Sequence, residues 1–212
     1  MKLTQAEVRE RYQASNLKIA FIGMSNIGKS MTAKRLAKAY NFSLVDIDHN
    51  IQNILGKDSM EDFAKWQGQP FEPGYAEREK KSLRLETDAM REAMITAEGN
   101  VILDTAGSVI YTDPPILETL KSDYFLIYIA ADRADLKRLQ DIYYTSPKPL
   151  AWAEHFKADP NLSDEANIRK CFPKLLKARA GLYAALADQK LNSKFIIDTH
   201  TDGDALFEAL GT

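Results

Sequence analysis

The eight residues GMSNIGKS, at positions 23–30, constrain the fold of this chain more than any other segment. They match the pattern G-x-x-x-x-G-K-[ST]. The apolar run 18–22 precedes them, and apolar residues at helical spacing follow over 29–40. In a strand–loop–helix of this kind, backbone N–H groups and the helix N-terminus surround a phosphate group. The segment therefore predicts a phosphate-binding loop in an α/β fold.

The residues of this loop have separable expected roles. Lys29 is expected to reach the β- and γ-phosphates, and Ser30 to ligate Mg²⁺. Asn26 stands where glycine is common, but asparagine also adopts the left-handed conformation that such a loop requires. The other loop positions expected to contact the nucleotide are Gly23, Ser25, Ile27, Gly28 and Met31. The expected cofactors are therefore ATP and Mg²⁺.

The rest of the chain alternates predicted strands with predicted helices. After 18–22, strands are predicted at 42–47, 101–103, 124–130 and 195–198. Helices are predicted at 29–40, 59–67, 75–97, 132–143, 164–188 and 204–210. Alternation of this kind predicts a parallel sheet covered by helices on both faces. Ligands gather at the carboxyl ends of such strands, where Gly23, Asp48, Asp104 and Asp198 fall.

The length of 212 residues fits one domain with an added lid or subdomain. Residues 1–16 predict a helical extension, because Thr4 and Glu7 match a capping box. Residues 17–212 form the predicted phosphate-loop domain. Within it, the segment 143–163 is rich in proline and polar residues and is expected to act as a mobile lid.

Composition excludes several classes of partner. The net charge of −2 gives no basis for binding duplex DNA or an anionic membrane. Cys171 is the only cysteine, so no intramolecular disulfide is possible and a reducing compartment is favoured. The N-terminus lacks the apolar core of a signal peptide, and no apolar run is long enough to span a bilayer. The expectation is a cytoplasmic monomer that acts on a small molecule.

A GTPase is the first alternative, because residues 104–107 read DTAG after the apolar strand VIL. Small GTPases also need a guanine-reading segment of the N-K-x-D type after a later strand, and the chain has none. The separation between the phosphate loop and DTAG is also long for that class. A GTPase is therefore not favoured.

Two aspartates after the second predicted strand point to phosphoryl transfer to an alcohol. Asp48 is expected beside the phosphate loop, where it can hydrogen-bond a hydroxyl group and take up its proton. A structural alternative remains open, in which Asp46 and Asp48 only cap the following helix, with Asp48 as the N-cap.

From this segment onward the chain resembles the shikimate kinases. The family's Asp-x-Asp corresponds to Asp46 and Asp48, and its isoleucine-bearing helix to the segment with Ile51. Its Gly-Lys-Ser turn corresponds to Gly56, Lys57 and Ser59. Its acidic-Phe-Ala segment corresponds to Asp62, Phe63 and Ala64, followed by Gly68. Arg179 and Tyr183 resemble its substrate-side Arg-x-x-x-Tyr, and Lys148 to Leu150 its lid Arg-Pro-Leu-Leu. The resemblance extends from about Lys18 to Leu210. It implies a three-layer fold with strand order 2-3-1-4-5 and transfer of the ATP γ-phosphate to shikimate.

The same resemblance implies roles for individual residues. Asp48 would be the base, Asp46 would hold Mg²⁺ through a water, and Arg179 and Gly107 would bind the acceptor. Lys148 would be the lid cation and Arg138 would lie against adenine, although both could equally be ordinary surface cations.

The acceptor half departs from the family pattern. Tyr75 and Glu79 hold the Phe and Glu places of G-E-x-x-F-R-x-x-E, but Ala76 replaces the arginine that binds the substrate carboxylate. Arg78 lies two positions on and is the candidate substitute. The family's three glycines become Thr105, Ala106 and Gly107, which is expected to narrow the acceptor space.

Lys148 replaces the lid arginine and loses its planar fork. Together with the loss of the carboxylate-binding arginine, this leaves two alternatives open beside a shikimate kinase. One is a kinase for another small hydroxylated acid or sugar such as gluconate, and the other is a nucleotide-binding protein without transferase activity.

Overall fold

A five-stranded parallel sheet forms the centre of the protein, in a computed structural model that describes residues 2–211. The strands are β1 (Lys18–Ile22), β2 (Ser43–Asp46), β3 (Val101–Asp104), β4 (Phe125–Ala130) and β5 (Gln189–Asn192). Their order is β2-β3-β1-β4-β5. The predicted α/β fold class and strand order are therefore confirmed.

Ten α-helices surround the sheet within residues 2–211. They are α1 (Gln5–Gln13), α2 (Lys29–Tyr40), α3 (Ile47–Ile54), α4 (Met60–Gln67), α5 (Tyr75–Thr96), α6 (Pro114–Asp123), α7 (Arg133–Thr145), α8 (Asp164–Leu186), α9 (Ser193–Ile197) and α10 (Gly203–Glu208). Strands β3 and β4 are buried along their whole length, because helices cover both faces of the sheet. None of the described helices is both long and apolar enough to cross a membrane.

The register of the sheet brings acidic side chains to one edge. β2 pairs with β3 so that Asp46 is the partner of Asp104. β1 pairs with both β3 and β4, and the phosphate loop leaves its carboxyl end. The two aspartates therefore meet beside this loop, at the edge where α/β proteins bind their ligands.

The N-terminal helix α1 begins with the predicted capping box. The Thr4 side chain accepts a hydrogen bond from the Glu7 N–H group, and the Glu7 carboxylate accepts one from Thr4 N at 2.7 Å. The helix packs onto the domain, because Val8 is buried and the Tyr12 ring lies edge-on to the Phe207 ring of α10.

The fifth predicted strand was wrong. β5 occupies Gln189–Asn192, and the predicted segment 195–198 begins inside α9, with Asp198 after its end. Asn192 ends the strand because its side chain accepts a hydrogen bond from Lys194 N and so caps α9. The apolar run that suggested a strand instead supplies Ile196, which lies against Gly28 of the phosphate loop.

Helix α6 was not predicted, because its segment begins with two consecutive prolines. Pro114 and Pro115 occupy the first turn of the helix, where a missing N–H group costs no intrahelical hydrogen bond. The helix then buries Ile116 and Leu120 against the domain.

Candidate active site

A cavity of about 560 Å³ lies at the carboxyl edge of the sheet. The phosphate loop forms one wall, and helices α3, α4 and α5 with the segment after α7 form the other. The predicted nucleotide-binding residues that border it are Ser25, Asn26, Gly28, Lys29, Ser30, Met31, Arg138 and Lys148. Within residues 2–211, Gly23 and Ile27 do not border it.

The phosphate loop has the backbone conformation that the sequence predicts. Asn26 is left-handed, with φ of 62°, and Gly28 has φ of 110°. Helix α2 begins at Lys29 without a side-chain cap, so its first N–H groups remain available to an anion. Gly23 is required, since a Cβ atom there would lie 2.8 Å from the Ile129 carbonyl oxygen. Ile27 is buried and anchors the loop to the core.

Lys29 is held in place by the loop. Its side chain is only 6% exposed, and Nζ donates a hydrogen bond to the Met24 carbonyl oxygen at 3.2 Å. The ammonium group thus lies on the cavity wall beside the start of α2.

The sequence left open whether Asp46 and Asp48 cap the following helix or face a bound ligand, and the structure places the two aspartates differently. Asp46 is the N-cap of α3, and its carboxylate accepts a hydrogen bond from His49 N at 3.0 Å. Asp48 lies in the first turn and faces the cavity rather than capping the helix. Burial raises the pKa of Asp48 to about 6, while Lys29 and Lys148 oppose the rise. A carboxylate in this setting can accept the proton of a hydroxyl group.

A divalent cation fits the oxygen atoms beside the phosphate loop. Asp46 and Ser30 border the cavity, and the buried Asp104 lies beside Ser30, with Oδ1 unpartnered within the described part of the chain. Residues 2–211 contain no group of three or more acidic, histidine or cysteine side chains that could hold a metal alone. Mg²⁺ needs only one or two carboxylates when phosphate oxygens and waters complete its shell.

Arg138 and Lys148 both border the cavity, Arg138 from α7 and Lys148 from the segment that follows it. Arg138, in α7, donates a hydrogen bond to the Asn26 carbonyl oxygen at 3.2 Å and pairs with Asp135. Lys148 is exposed, borders the cavity and influences the titration of Asp48. Both positions are compatible with the predicted contacts to a nucleotide.

Arg179 forms the buried cationic wall of the acceptor half. Nη1 donates to the Gly107 carbonyl oxygen at 3.0 Å and Nη2 to the Ala151 carbonyl oxygen at 2.5 Å. Its guanidinium carbon lies 5.2 Å from the centre of the Tyr111 ring. Arg179 thereby connects the loop after β3 to the lid segment and borders the cavity, as its predicted role requires.

The altered glycine run leaves more room than the sequence suggested. The Thr105 hydroxyl points into the sheet and donates to the Phe21 carbonyl oxygen at 2.8 Å, so it does not narrow the cavity. Ala106 and Gly107 do border the cavity. A Cβ atom at Gly107 would lie 2.8 Å from Ser25 Oγ and 3.2 Å from Ser25 N, so a larger residue there would displace the Ser25 side chain.

The geometry does not support Arg78 as the replacement for the carboxylate-binding arginine that is missing at position 76. Arg78 donates to the Gln67 and Pro73 carbonyl oxygens at 2.9 and 3.0 Å and pairs with Glu72. These bonds hold the preceding loop to α5, and among residues 2–211 Arg78 is not part of the cavity wall. Arg78 cannot take the place of a side chain at position 76, because residues two positions apart project from different parts of helix α5.

Glu79 anchors the lid segment to α5. Its Oε1 accepts hydrogen bonds from Tyr75 OH at 2.6 Å, from Ala153 N at 3.1 Å and from Trp152 N. Trp152 is 1% exposed and packs against Phe156 and other aromatic rings. The predicted lid is therefore fixed at this point, and its exposed residues lie on both sides of it, at 145–148, 153–154, 157–158 and 160–163.

Glu79→Ala is expected to release this anchor and to speed amide hydrogen exchange at Trp152 and Ala153. Removing this charged acceptor leaves the N–H group of the exposed Ala153 without its partner and leaves Trp152 N with its 3.2 Å hydrogen bond to Tyr75 OH, and the loss of a charged acceptor costs about 1–3 kcal/mol of folding free energy. Hydrogen exchange with mass spectrometry measures the change, and Trp66→Phe makes Trp152 the sole fluorescent reporter. Glu77→Ala is the control, because Glu77 is 79% exposed and pairs only with Lys80 in the described structure. Equal exchange in both variants would contradict the anchoring role.

Glu86 is a site residue that the sequence analysis missed. It borders the cavity, is 1% exposed and accepts a hydrogen bond from Ser108 Oγ through Oε2. The available signal was a glutamate within the buried stripe of α5, which also includes Ser82, Ala89 and Ala93. Burial raises the pKa of Glu86 to about 8, so the carboxyl group is mostly neutral at pH 7.

As pH rises, the free energy of unfolding of the wild-type protein is expected to fall more steeply than that of Glu86→Gln. The folded state keeps a proton on Glu86 that the unfolded chain releases above its ordinary pKa of 4.5. This contribution to the free energy of unfolding therefore declines as pH rises from about 4.5 through about 8. Charges facing Glu86, from Asp48, Arg179 and Lys29, are common to both proteins. Thermal unfolding at pH 5 to 9 tests this, and parallel curves would contradict it.

Comparison with known proteins gives one consistent family. The sequence model of the family described as shikimate kinase matches residues 25–195, which is well over half of the chain. A shikimate kinase of Thermodesulfovibrio yellowstonii is 26% identical over 138 residues, covering 65% of this chain and 70% of that protein. A shikimate kinase of Mycobacterium ulcerans is 27% identical over 118 residues, covering 56% of each.

Solved structures show the same fold. Shikimate kinase from Bacteroides thetaiotaomicron has a TM-score of 0.59 at 16% identity, covering 91% of this chain and 94% of its own. Shikimate kinase from Acinetobacter baumannii, in complex with shikimate, has a TM-score of 0.57 at 22% identity, covering 93% and 92%. Together with the match of the family model, these findings show that the chain belongs to the shikimate kinase family of phosphotransferases that act on a hydroxyl group.

Proposed function

We propose that this protein transfers the γ-phosphate of ATP to a hydroxyl group of shikimate. The observation that carries the proposal is that Asp48 and the phosphate loop border the same cavity. Asp48 is close enough to Lys29 for the lysine charge to oppose the rise that burial causes in the pKa of Asp48. A base and a phosphate clamp on one cavity are what phosphoryl transfer to an alcohol requires.

The residues of this chain divide the work of the transfer. Lys29 and the free N–H groups at the start of α2 bind and orient the phosphates. Asp48 orients the acceptor hydroxyl and takes its proton as the bond to phosphorus forms. Lys148, from the segment after α7, adds positive charge where the transferred group carries its negative charge.

Ser30 and Asp46 would hold Mg²⁺, and Asp104 would support it from behind Ser30. Mg²⁺ supplies charge neutralisation on the phosphate oxygens when it is bound. The buried, unpartnered Oδ1 of Asp104 is the observation within residues 2–211 that favours a cation or its water at this point.

Arg179 is the candidate partner for the carboxylate of shikimate. It is the buried arginine on the acceptor side of the cavity, and an arginine can bind a carboxylate through two hydrogen bonds. The anchored segment Leu150–Trp152 covers this half of the site and limits the access of water. Exclusion of water matters because an open kinase site would hydrolyse ATP.

Steady-state release of ADP from Mg·ATP tests the proposal. We expect shikimate to stimulate release strongly, and gluconate to have no effect above the rate without acceptor. Stimulation by gluconate alone would assign the site to another hydroxylated acid. ATP binding without any acceptor-dependent release would indicate a nucleotide-binding protein that does not transfer phosphate.

A further inference from the structure

Helix α5 presents two polar side chains to the acceptor half of the cavity, one turn apart. Ser82 and Glu86 both border the cavity, at the point where the loop after β3 approaches the helix. Neither has a part in the phosphoryl-transfer roles of Lys29, Asp48 or Arg179. Ser82 and Glu86 are therefore placed to contact the acceptor rather than the nucleotide.

Glu86 has one oxygen atom satisfied and one left over. Oε2 accepts the hydrogen bond from Ser108 Oγ, whereas Oε1 is buried and has no partner anywhere in residues 2–211. A buried polar atom without a partner costs free energy, so such atoms in folded proteins generally have one. Because Glu86 borders the cavity, a molecule in that cavity is the available partner.

The charges around Glu86 favour a neutral polar partner. Asp48 supplies negative charge near Glu86, and Arg179 and Lys29 supply positive charge, so charges of both signs are already present. Burial raises the pKa of Glu86 to about 8. A neutral carboxyl group has one O–H donor and free acceptor sites, which is the complement of a hydroxyl group.

We propose that Glu86 and Ser82 form a subsite for a hydroxyl group of the acceptor other than the one that receives phosphate. The inference rests on the proposed function, in which Asp48 binds the reacting hydroxyl and Arg179 the carboxylate. It makes Glu86 a residue that determines specificity, and it gives a role to a side chain that lies outside the phosphate loop and the lid.

Binding of shikimate to the Mg·ADP complex, measured by calorimetry, is the first arm of the test. Glu86→Met, which keeps the length of the side chain, is expected to weaken shikimate binding about tenfold, with Mg·ADP affinity unchanged. The loss should disappear for whichever analogue, 4-deoxyshikimate or 5-deoxyshikimate, lacks the contacted hydroxyl. Glu77→Met, on the exposed face of α5, is the matched control.

Infrared spectroscopy is the second arm and does not depend on turnover. The carbonyl band of the protonated Glu86 carboxyl group is identified by its absence in Glu86→Gln. We expect this band to shift when shikimate is added to the Mg·ADP complex, because the acceptor forms a hydrogen bond with that group.

The outcomes separate the subsite from the proposed function. Shikimate binding that is equal in wild type and Glu86→Met, with an unmoved band, overturns the subsite and leaves the kinase function standing. A shifted band and weakened binding without any phosphoryl transfer support the subsite and overturn the proposed function. Failure of shikimate to bind the wild-type protein overturns both.

Discussion

Asp48→Asn is expected to lower kcat for shikimate phosphorylation by about 10²- to 10⁴-fold, while Mg·ATP affinity stays nearly unchanged. The asparagine amide has the size of the carboxylate and can still accept a hydrogen bond, but it cannot take up a proton. Asp48 caps no helix, because Asp46 already caps α3, so the substitution leaves the local fold intact. The effect should therefore appear in kcat rather than in stability.

Single-turnover measurements with saturating acceptor isolate this chemical step from product release. Asp88→Asn is the control, since Asp88 pairs with Arg91 on the exposed side of α5 and is 55% exposed. Wild-type kcat in Asp48→Asn would remove Asp48 from the role of base.

Lys29→Met is expected to lower kcat/KM for ATP by about 10²- to 10³-fold. Lys29 is 6% exposed, and in the described structure its ammonium group donates a hydrogen bond to the Met24 carbonyl oxygen. Methionine fills the same space without charge, so the phosphate loop loses its clamp while the core packing is kept. The lost interaction strengthens as charge develops on the transferring group, so kcat should fall together with affinity.

Lys38→Met provides the control for Lys29→Met, because Lys38 is exposed on the same helix α2. Thermal unfolding of both variants checks that the loop has not collapsed. Unchanged kcat/KM in Lys29→Met would contradict the assignment of residues 23–30 as the phosphate-binding loop.

The backbone conformation of the candidate phosphate loop could be predicted because it depends on residues that are close together in the sequence. Gly28, Lys29 and Ser30 are consecutive in the chain, and the left-handed backbone of Asn26 follows from its own residue type. The strand order came from resemblance to the family, and the comparison of folds supports it.

The acceptor half could not be predicted in the same way, because its side chains depend on distant partners. Among the described residues Arg78 does not border the cavity, and the Gln67 and Pro73 carbonyl oxygens bind its guanidinium group. Glu86 is held by a hydrogen bond from Ser108, which is 22 residues away in the sequence and follows a different strand. Pattern and spacing in one sequence do not report such pairs.

The missed fifth strand has a related cause. β5 lies at the edge of the sheet and alternates buried and exposed residues, so its segment QKLN carries a weak apolar signal. The stronger run FII belongs to α9, which is short and covers the phosphate loop. Tertiary position here outweighed local propensity.

Direct detection of the transferred phosphate tests the central claim. The purified protein is incubated with Mg²⁺, shikimate and ATP that carries ¹⁸O at the γ-phosphate, and the products are analysed by mass spectrometry. We predict labelled phosphate on shikimate in the wild type, and its formation about 10²- to 10⁴-fold more slowly in Asp48→Asn. Label that appears only in inorganic phosphate, or that remains in ATP, would contradict the proposal that this protein is a kinase acting on shikimate.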